Sequence, residues 1–465
     1  MDVVFFDFSG NRNRPSRCTG LKMIRIGYTV GRNTKESSLT DQLRRFMPRE
    51  LEENTATSER KKEHQLAPKS NRPQNPAHET LMQKCIRVVV ENFEQRPVKE
   101  IIPPAQMAEI TKQLPVGLSP LIGAKYVFNE NYWKRCCVEK FGWQNCHLHE
   151  HGLLWKQMYF EKLLTETLED FDIQSEDPET IFSLLDACMD YIFTVTFRQL
   201  PSHMDMSEIC ALLPNLTKLN IMYGVNKIGM SYERMLFGMK ISDATGLAKV
   251  FDRTESLTTV ILSGNLIDDD LLRMLMTGLI KNNTITALDF SHNKITNHGA
   301  RLLSKLLGEN SVITSLNLAD NQIHGEGGRY MARGLRENDS LLYLNLRLNK
   351  LGDEGCRLLF EGLQDNVSVT ELNISSNGAG TSSAQTLFSI IRDTEHKLAV
   401  LDISGNDFQA EHFELMRLSM SGNRTLIGLD MRANPGYTEA TRAVAEIDKM
   451  VHTNEFHIRR GEGHP

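Results

Sequence analysis

The chain has 465 residues, 40% of them hydrophobic and 24% charged, with a formal net charge of −6. That is the make-up of a soluble protein with room for two or three domains and a sizeable core. Eight cysteines in such a length exclude a disulfide framework, and no apolar run approaches the roughly 20 residues that span a bilayer. Met1 to Phe8 carries at most four consecutive apolar residues between acidic neighbours, which excludes a secretory signal. The expected location is therefore the cytoplasm, with reduced thiols, and the N-x-S/T sequons such as Asn366 and Asn423 carry no glycan.

Residues 1–77 read as a disordered basic tail. Arg44 to His78 mixes Arg, Glu, Lys, Asn, Pro and Ser with few large apolar side chains. Residues 1–77 hold fifteen Lys/Arg against nine Asp/Glu, a net +6, so the rest of the chain carries −12. A tail of that sign is expected to be a solvated linker or a contact with an acidic polymer such as the microtubule surface; nucleic acid is not the expected partner.

Residues 78–200 read as a small all-α domain. Cys85 to Phe93 and Trp155 to Phe171 have helical patterning. Aromatic residues recur at helical spacing through Tyr126, Phe128, Tyr132, Trp133, Phe141, Trp143, Trp155, Tyr159 and Phe160, which is the pattern of a core. The Trp-Lys-Arg and Trp-Lys-x-x-Tyr-Phe-Glu spacings distantly resemble the trailing helices of F-box domains. Cys136, Cys137, Cys146, His147, His149 and His151 form the chain's metal-like cluster. Structural zinc wants paired cysteines two to four apart and a second pair at a workable distance. Adjacent cysteines with no second pair predict a helix followed by a polar loop, with no metal and no cofactor.

From residue 201 to 455 one pattern repeats. Leu257-T-T-Val260-I-Leu262-S-G-Asn265 is followed by copies ending at Asn293, Asn321, Asn349, Asn377, Asn406 and Asn434, separated by 28, 28, 28, 28, 29 and 28 residues. A degenerate copy, Leu216-T-K-Leu219-N-Ile221-M-Y-Gly224, precedes them. The alternating Leu-x-Leu predicts a short strand with every second residue buried. The Asn is expected to turn inward and satisfy backbone groups where the chain bends out of the strand. The second half of each unit is helical: Gly299, Leu303, Leu307, Asn310 recurs as Gly327, Met331, Leu335, Asn338 and as Gly355, Leu359, Leu363, Asn366. The small residue predicts close approach of the next helix, and the Asn predicts a left-handed cap.

The motif is that of a leucine-rich repeat, and the 28-residue strand–helix unit resembles the ribonuclease-inhibitor class. The resemblance implies an α/β horseshoe solenoid with a parallel sheet inside, stabilised by stacking between neighbours. Between Gly224 and Asn265 the spacing is 41 residues, and the helical frame returns at Asp243, Leu247, Phe251 and Thr254. The thirteen extra residues are expected around Val225 to Phe237, as a surface loop. Gly224 to Ser231 has P-loop glycine spacing, but Met230 stands where the phosphate-binding lysine is required. Residues after Asn434 read as a terminal cap and 456–465 as a tail.

No hydrolase, kinase or metalloprotease motif is present, so the chain reads as a binding protein rather than an enzyme, with no small-molecule substrate. Asp289, Asn317, Asn345, Asn373, Asp402 and Asp430 each occupy the x of Leu-x-Leu and should line the inner sheet as a polar ladder for a protein partner. Charge reversal at Asn345 and Asn373 together is expected to weaken capture of a partner held by that ladder.

Three segments carry a closer resemblance: Lys125 to Cys137 (KYVFNENYWKRCC), Trp155 to Glu161 (WKQMYFE) and Met235 to Asp243 (MLFGMKISD). With these the chain resembles the T-complex-associated testis-expressed 1 family over about residues 78–455. This is the leucine-rich-repeat subunit, number five, of the nexin–dynein regulatory complex. The resemblance implies a non-enzymatic scaffold in the axoneme of motile cilia and sperm flagella, partnered by other subunits of that complex. It implies a role in linking outer doublets and in regulating dynein-driven sliding. Two other classes are compatible with the repeats: an F-box-like substrate receptor of a ubiquitin ligase, and a ribonuclease-inhibitor-type binding module.

Overall fold

A computed structural model describes residues 80–98, 102–172, 175–224, 237–308, 310–394 and 396–460. The expected basic tail, 1–77, and residues 225–236 of the expected insertion lie outside them.

Among the described residues six helices come first: α1 (Leu81–Glu91), α2 (Pro104–Gln113), α3 (Pro120–Tyr126), α4 (Glu130–Phe141), α5 (Trp155–Asp170) and α6 (Glu179–Cys188). Local chemistry sets their ends. Thr80 and Gln83 form a reciprocal capping box on α1, Asn129 accepts two N–H groups at the start of α4, and Pro120 opens α3. Part of the aromatic stripe is core, since Tyr132, Trp133, Tyr159 and Phe160 are buried, whereas Phe128 and Trp143 are exposed against expectation. Trp133 is fully buried, its ring lies 5.0 Å from those of Tyr159 and Phe160, and its indole N–H donates to the Val127 carbonyl at 3.0 Å.

Among the described residues nine short strands follow in one parallel sheet, in sequence order. They are β1 (Thr194–Phe197), β2 (Lys218–Ile221), β3 (Thr259–Ile261), β4 (Ala287–Asp289), β5 (Ser315–Asn317), β6 (Tyr343–Asn345), β7 (Glu371–Asn373), β8 (Val400–Asp402) and β9 (Gly428–Asp430). The helices between them are α7 (Met206–Ala211), α8 (Ile241–Arg253), α9 (Asp269–Leu279), α10 (Asn297–Leu306), α11 (Gly325–Glu337), α12 (Gly352–Gln364), α13 (Thr381–Arg392) and α14 (Ala410–Ser419), and α15 (Thr441–Arg460) closes the end. Central leucines such as Leu288, Leu316, Leu344 and Leu372 are buried while their strand neighbours are half-buried, the period of two expected of Leu-x-Leu. Helix stacking uses small residues. A Cβ on Gly299 would meet the Asp269 carboxylate at 2.6 Å, and one on Gly362 the Ala332 carbonyl at 2.5 Å.

Two boundaries differ from expectation. The sheet begins at Thr194, before residue 201, because Thr194-Val-Thr-Phe pairs in register with β2 despite lacking the repeat signature. The closing helix runs to Arg460, five residues into the expected tail. The insertion is pinched at its root, where Gly224 bridges both Leu200 and Phe237.

The repeat asparagines do what their residue type predicts. Asn349 is buried; its Nδ2 donates to the carbonyls of Leu318 (2.9 Å) and Leu346 (3.0 Å), and its Oδ1 accepts the Ile323 N–H at 3.1 Å. Asn293, Asn321, Asn377, Asn406 and Asn434 repeat this geometry, each stitching one turn of the solenoid to the turn before it. The residue just before each Asn is left-handed, with glycine there at 264 and 405 and non-glycine residues at His292, Asp320, Leu348, Ser376 and Ala433.

The helix-end asparagines act differently from expectation. Asn338 is extended, at φ −100°, so it is no left-handed cap. Its side chain accepts the N–H of Ser340 and Leu341 and donates to Leu307 of the preceding repeat. Asn282, Asn366, Asn423 and Asn454 also donate backward to the preceding repeat, whereas Asn310 is exposed. In the 29-residue repeat His396 takes this place, contacting the Leu363 carbonyl through Nε2 at 2.8 Å and accepting the Leu398 N–H on Nδ1.

Helix starts are capped by the neighbouring repeat. Asp353 accepts the N–H groups of Gly380, Ser382 and Ser383 at 2.8–2.9 Å. Partial burial pushes its carboxyl up, but the Ser383 hydroxyl and these N–H groups outweigh that and bring it down from 3.8 to about 2. A depressed folded value contributes stability that is full above the unfolded value and is lost as pH falls through the folded one. The stability gap between wild type and Asp353→Asn should therefore narrow as pH falls from about 5 to about 2. Urea midpoints across that range check it; a constant gap would show that ionisation of Asp353 is irrelevant.

The helical block is joined to the sheet by buried charge. Glu161, on α5, is 1% exposed and accepts the N–H of Phe193 (2.9 Å) and Thr194 (2.8 Å), where the chain enters β1. Gln157 donates to the same Oε1, and His151 Nδ1 stands 2.5 Å from Oε2. Lys156, also buried, donates to the Ala124 carbonyl at 2.7 Å, with its ammonium 4.0 Å from the Tyr191 ring centre and 4.4 Å from that of Phe128. The WKQMYFE segment is thus the joint between helices and solenoid.

Candidate protein-binding surface

Parallel register puts the second x residue of each strand in one row: Asp289, Asn317, Asn345, Asn373, Asp402 and Asp430 are consecutive Cα partners across β4 to β9. The row continues to Ile261, Asn220 and Thr196 in the earlier strands. All six ladder residues are half-buried.

The structure adds a duty that periodicity does not reveal. One side-chain oxygen of each ladder residue accepts the N–H two residues on, in the turn that leaves the strand: Ser291, Ala319, Arg347, Ser375, Ser404 and Arg432 are the donors. Remaining atoms are mostly engaged as well. Asn317 donates to Asp289 at 2.9 Å and Asn373 to Asp402 at 2.8 Å, while Arg432 holds Asp430. That arginine keeps the Asp430 carboxyl below its ordinary range, with burial opposing. Asn345 differs: among the described residues nothing accepts from its Nδ2.

The metal-like cluster is dispersed. Cys136 and Cys137 are buried and their thiols point to different carbonyls, of Val116 and Trp155. Burial pushes both thiols up, the thiol form being the one a carbonyl accepts from. Cys146 lies near the Gly142 carbonyl, and His151 is taken by Glu161. Among the described residues no group of three His, Cys, Asp or Glu is placed to hold a metal ion. None of their helices is long and apolar enough to cross a membrane.

A second polar cluster, invisible as a motif, sits at the root of the insertion. His203 Nδ1 contacts Asp243 at 2.7 Å and the ring stacks on Tyr223, with centroids 5.5 Å apart. Asp243 also accepts the Lys240 N–H at 2.7 Å, which caps α8. Burial, and then the charge of Asp243, pushes the Tyr223 hydroxyl well above its ordinary range. The cluster joins residues twenty and more apart in sequence, which is why spacing alone does not find it.

Comparison with known proteins agrees with this architecture. The leucine-rich-repeat family model matches residues 281–304, 309–332 and 337–360. Curated proteins named dynein regulatory complex subunit 5 are similar to the chain. The one from Chlamydomonas reinhardtii is 39% identical over 41% of this chain and 48% of its own length. Those from Mus musculus and Homo sapiens are 29% and 30% identical, each over 45% of this chain and 47% of its own length. The chain thus spans about half the length of the curated relatives it matches. Among solved structures it is similar to leiomodin-1 actin-binding site 2, at 16% identity over 48% of this chain and 95% of that one, with a TM-score of 0.25. The TLR13–ssRNA13 complex is 19% identical over 54% of this chain and 34% of that one, with a TM-score of 0.33. The chain carries leucine-rich repeats and is similar to the proteins named dynein regulatory complex subunit 5.

Proposed function

We propose that the protein is a non-enzymatic scaffold subunit of the dynein regulatory complex in the axoneme of motile cilia and flagella. The observation that carries this reading is the 39% identity to the Chlamydomonas reinhardtii subunit. In this role the chain holds other subunits of the complex, and through it supports doublet linkage and control of dynein-driven sliding. The architecture suits that work. A nine-stranded parallel sheet offers one long face, and the Glu161 joint ties the helical block to its first strand. One part can grip one partner while the sheet grips another. The basic segment 1–77, with its net +6, is suited to the acidic surface of a microtubule.

Tagged full-length protein in ciliated cells tests the reading. The expected result is an axonemal signal that survives detergent extraction. A diffuse cytosolic signal with no axonemal fraction would sink it. Capture of a ubiquitin-ligase adaptor by the full chain would favour an F-box-like receptor instead.

A further inference from the structure

The residues flanking β6 break the pattern of the neighbouring strands at three exposed positions. The residue before the strand is Thr258, Thr286, Thr314 and Thr370 in other repeats, and these hydroxyls reach a carbonyl of the preceding turn. In β6 it is Leu342, which has no such bond to make and is 44% exposed. Two residues past the ladder the neighbours carry Ser263, Ser291, Ala319, Ser375 and Ser404, whereas β6 carries Arg347. Arg432 in β9 is the other arginine of the row, and it is held by Asp430. Arg347 is exposed, and among the described residues no ion pair engages its guanidinium.

The third break is Leu348. Its position is left-handed in every full repeat, and Leu348 sits there at φ 55° with 43% of its surface exposed. A large apolar side chain in that region costs about 1–2 kcal/mol of backbone strain relative to glycine, which β3 and β8 use at the same place. Burial within the fold does not offset the strain, because the side chain is not buried.

These residues surround Asn345, the ladder residue whose Nδ2 has no acceptor among the described residues. At the carboxyl edge of the strands lies a groove of about 310 Å³ lined by Asp320, Gln322, Leu348, Lys350 and Ser376. Asp320 there is contacted by His292 at 2.8 Å, while Arg347 and Lys350 are exposed cations. On the opposite side, Glu371 stands in register with Tyr343. The polarity is therefore defined along the strand: cationic at the carboxyl edge, apolar and weakly acidic at the amino edge. Arginine and tyrosine beside exposed leucines, around an unsatisfied amide, are the ingredients of an interface hot spot.

We propose that β6, through Leu342, Asn345, Arg347 and Leu348, is the anchor of the sheet for an acidic segment of a partner subunit. A carboxylate of that segment meets Arg347, and an apolar side chain covers Leu348 at the groove. The proposal rests on the reading of the chain as a subunit of the dynein regulatory complex.

The test uses full-length protein co-expressed with the other subunits of that complex. Co-purification of wild type is expected; its failure would overturn the subunit reading and this inference with it. Given co-purification, Arg347→Glu and Leu348→Gly are each expected to weaken it at least about tenfold. Glycine suits the left-handed position, so Leu348→Gly keeps the fold, and an unchanged melting curve confirms that for both. Unaltered co-purification of both variants overturns the anchor while leaving the subunit reading standing. A photo-crosslinking residue at Tyr343 then identifies the chemistry. An acidic peptide is expected in the crosslink; a basic peptide, or crosslinks only from the Asn317 and Asn373 positions, overturns it.

Discussion

Glu161→Ala is expected to cost about 3–5 kcal/mol of stability, because several buried donors lose their acceptor together, at about 1–3 kcal/mol each. The substitution strands four groups at once, the Gln157 amide among them. The N–H groups of Phe193 and Thr194 lose their acceptor, and His151 loses the carboxylate that it touches at 2.5 Å. Replacement by Gln should cost clearly less, because an amide oxygen still accepts from the backbone while the contact with His151 weakens. The effect should also be local. Hydrogen exchange at Phe193 and Thr194 should accelerate far more than at Leu316 or Leu344, which lie four or more strands away. Urea unfolding with site-resolved exchange reads both. Uniform acceleration along the sheet, or a loss below about 1 kcal/mol, would show that the joint is not where the blocks are coupled.

Asn349→Ala should destabilise the middle of the solenoid by about 2–3 kcal/mol. The magnitude follows from counting what is left unpaired. The Leu318 carbonyl also accepts from Asn321, and the Leu346 carbonyl from Asn377, so neither becomes an orphan. The Ile323 N–H keeps no such reserve and is left buried and unsatisfied. In a linear stack each turn contacts only its neighbours, so weakening one junction should lower cooperativity as well as stability. The expected signature is a broader urea transition, with the strands before and after the junction melting apart. Asn434→Ala, at the last turn, should leave the transition sharp. A sharp transition in Asn349→Ala as well would mean that the stack is coupled through something other than these amides.

How much of this was legible in the sequence depends on how local each signal is. The repeat asparagines were legible because donating to two carbonyls and accepting an N–H from one buried side chain calls for an amide, and the period preserves it. The strands from β3 onward followed from the leucines around those asparagines. Strand β1 was not legible, since Phe193 and Thr194 are held by Glu161, more than thirty residues upstream on a helix, rather than by a repeat Asn. The ladder residues stand in one row across β4 to β9, but their use of one oxygen in each turn depends on backbone geometry that spacing does not encode. The departures in β6 were visible as letters. Their meaning came only when Leu342 and Leu348 were found exposed together with Arg347.

The 29-residue repeat carries a wider consequence. Its extra residue is absorbed near His396, where the imidazole takes over the backward bond that asparagine makes elsewhere, and the strands on either side still pair Asn373 with Asp402. Length can thus change on the helical margin without displacing a single rung of the sheet. The two margins of the solenoid are in effect mechanically insulated: one can accumulate insertions while the other keeps its grid. A designer could exploit that independence, transplanting the β6 face into another turn or lengthening a helix connection, and expect each edit to stay where it was made.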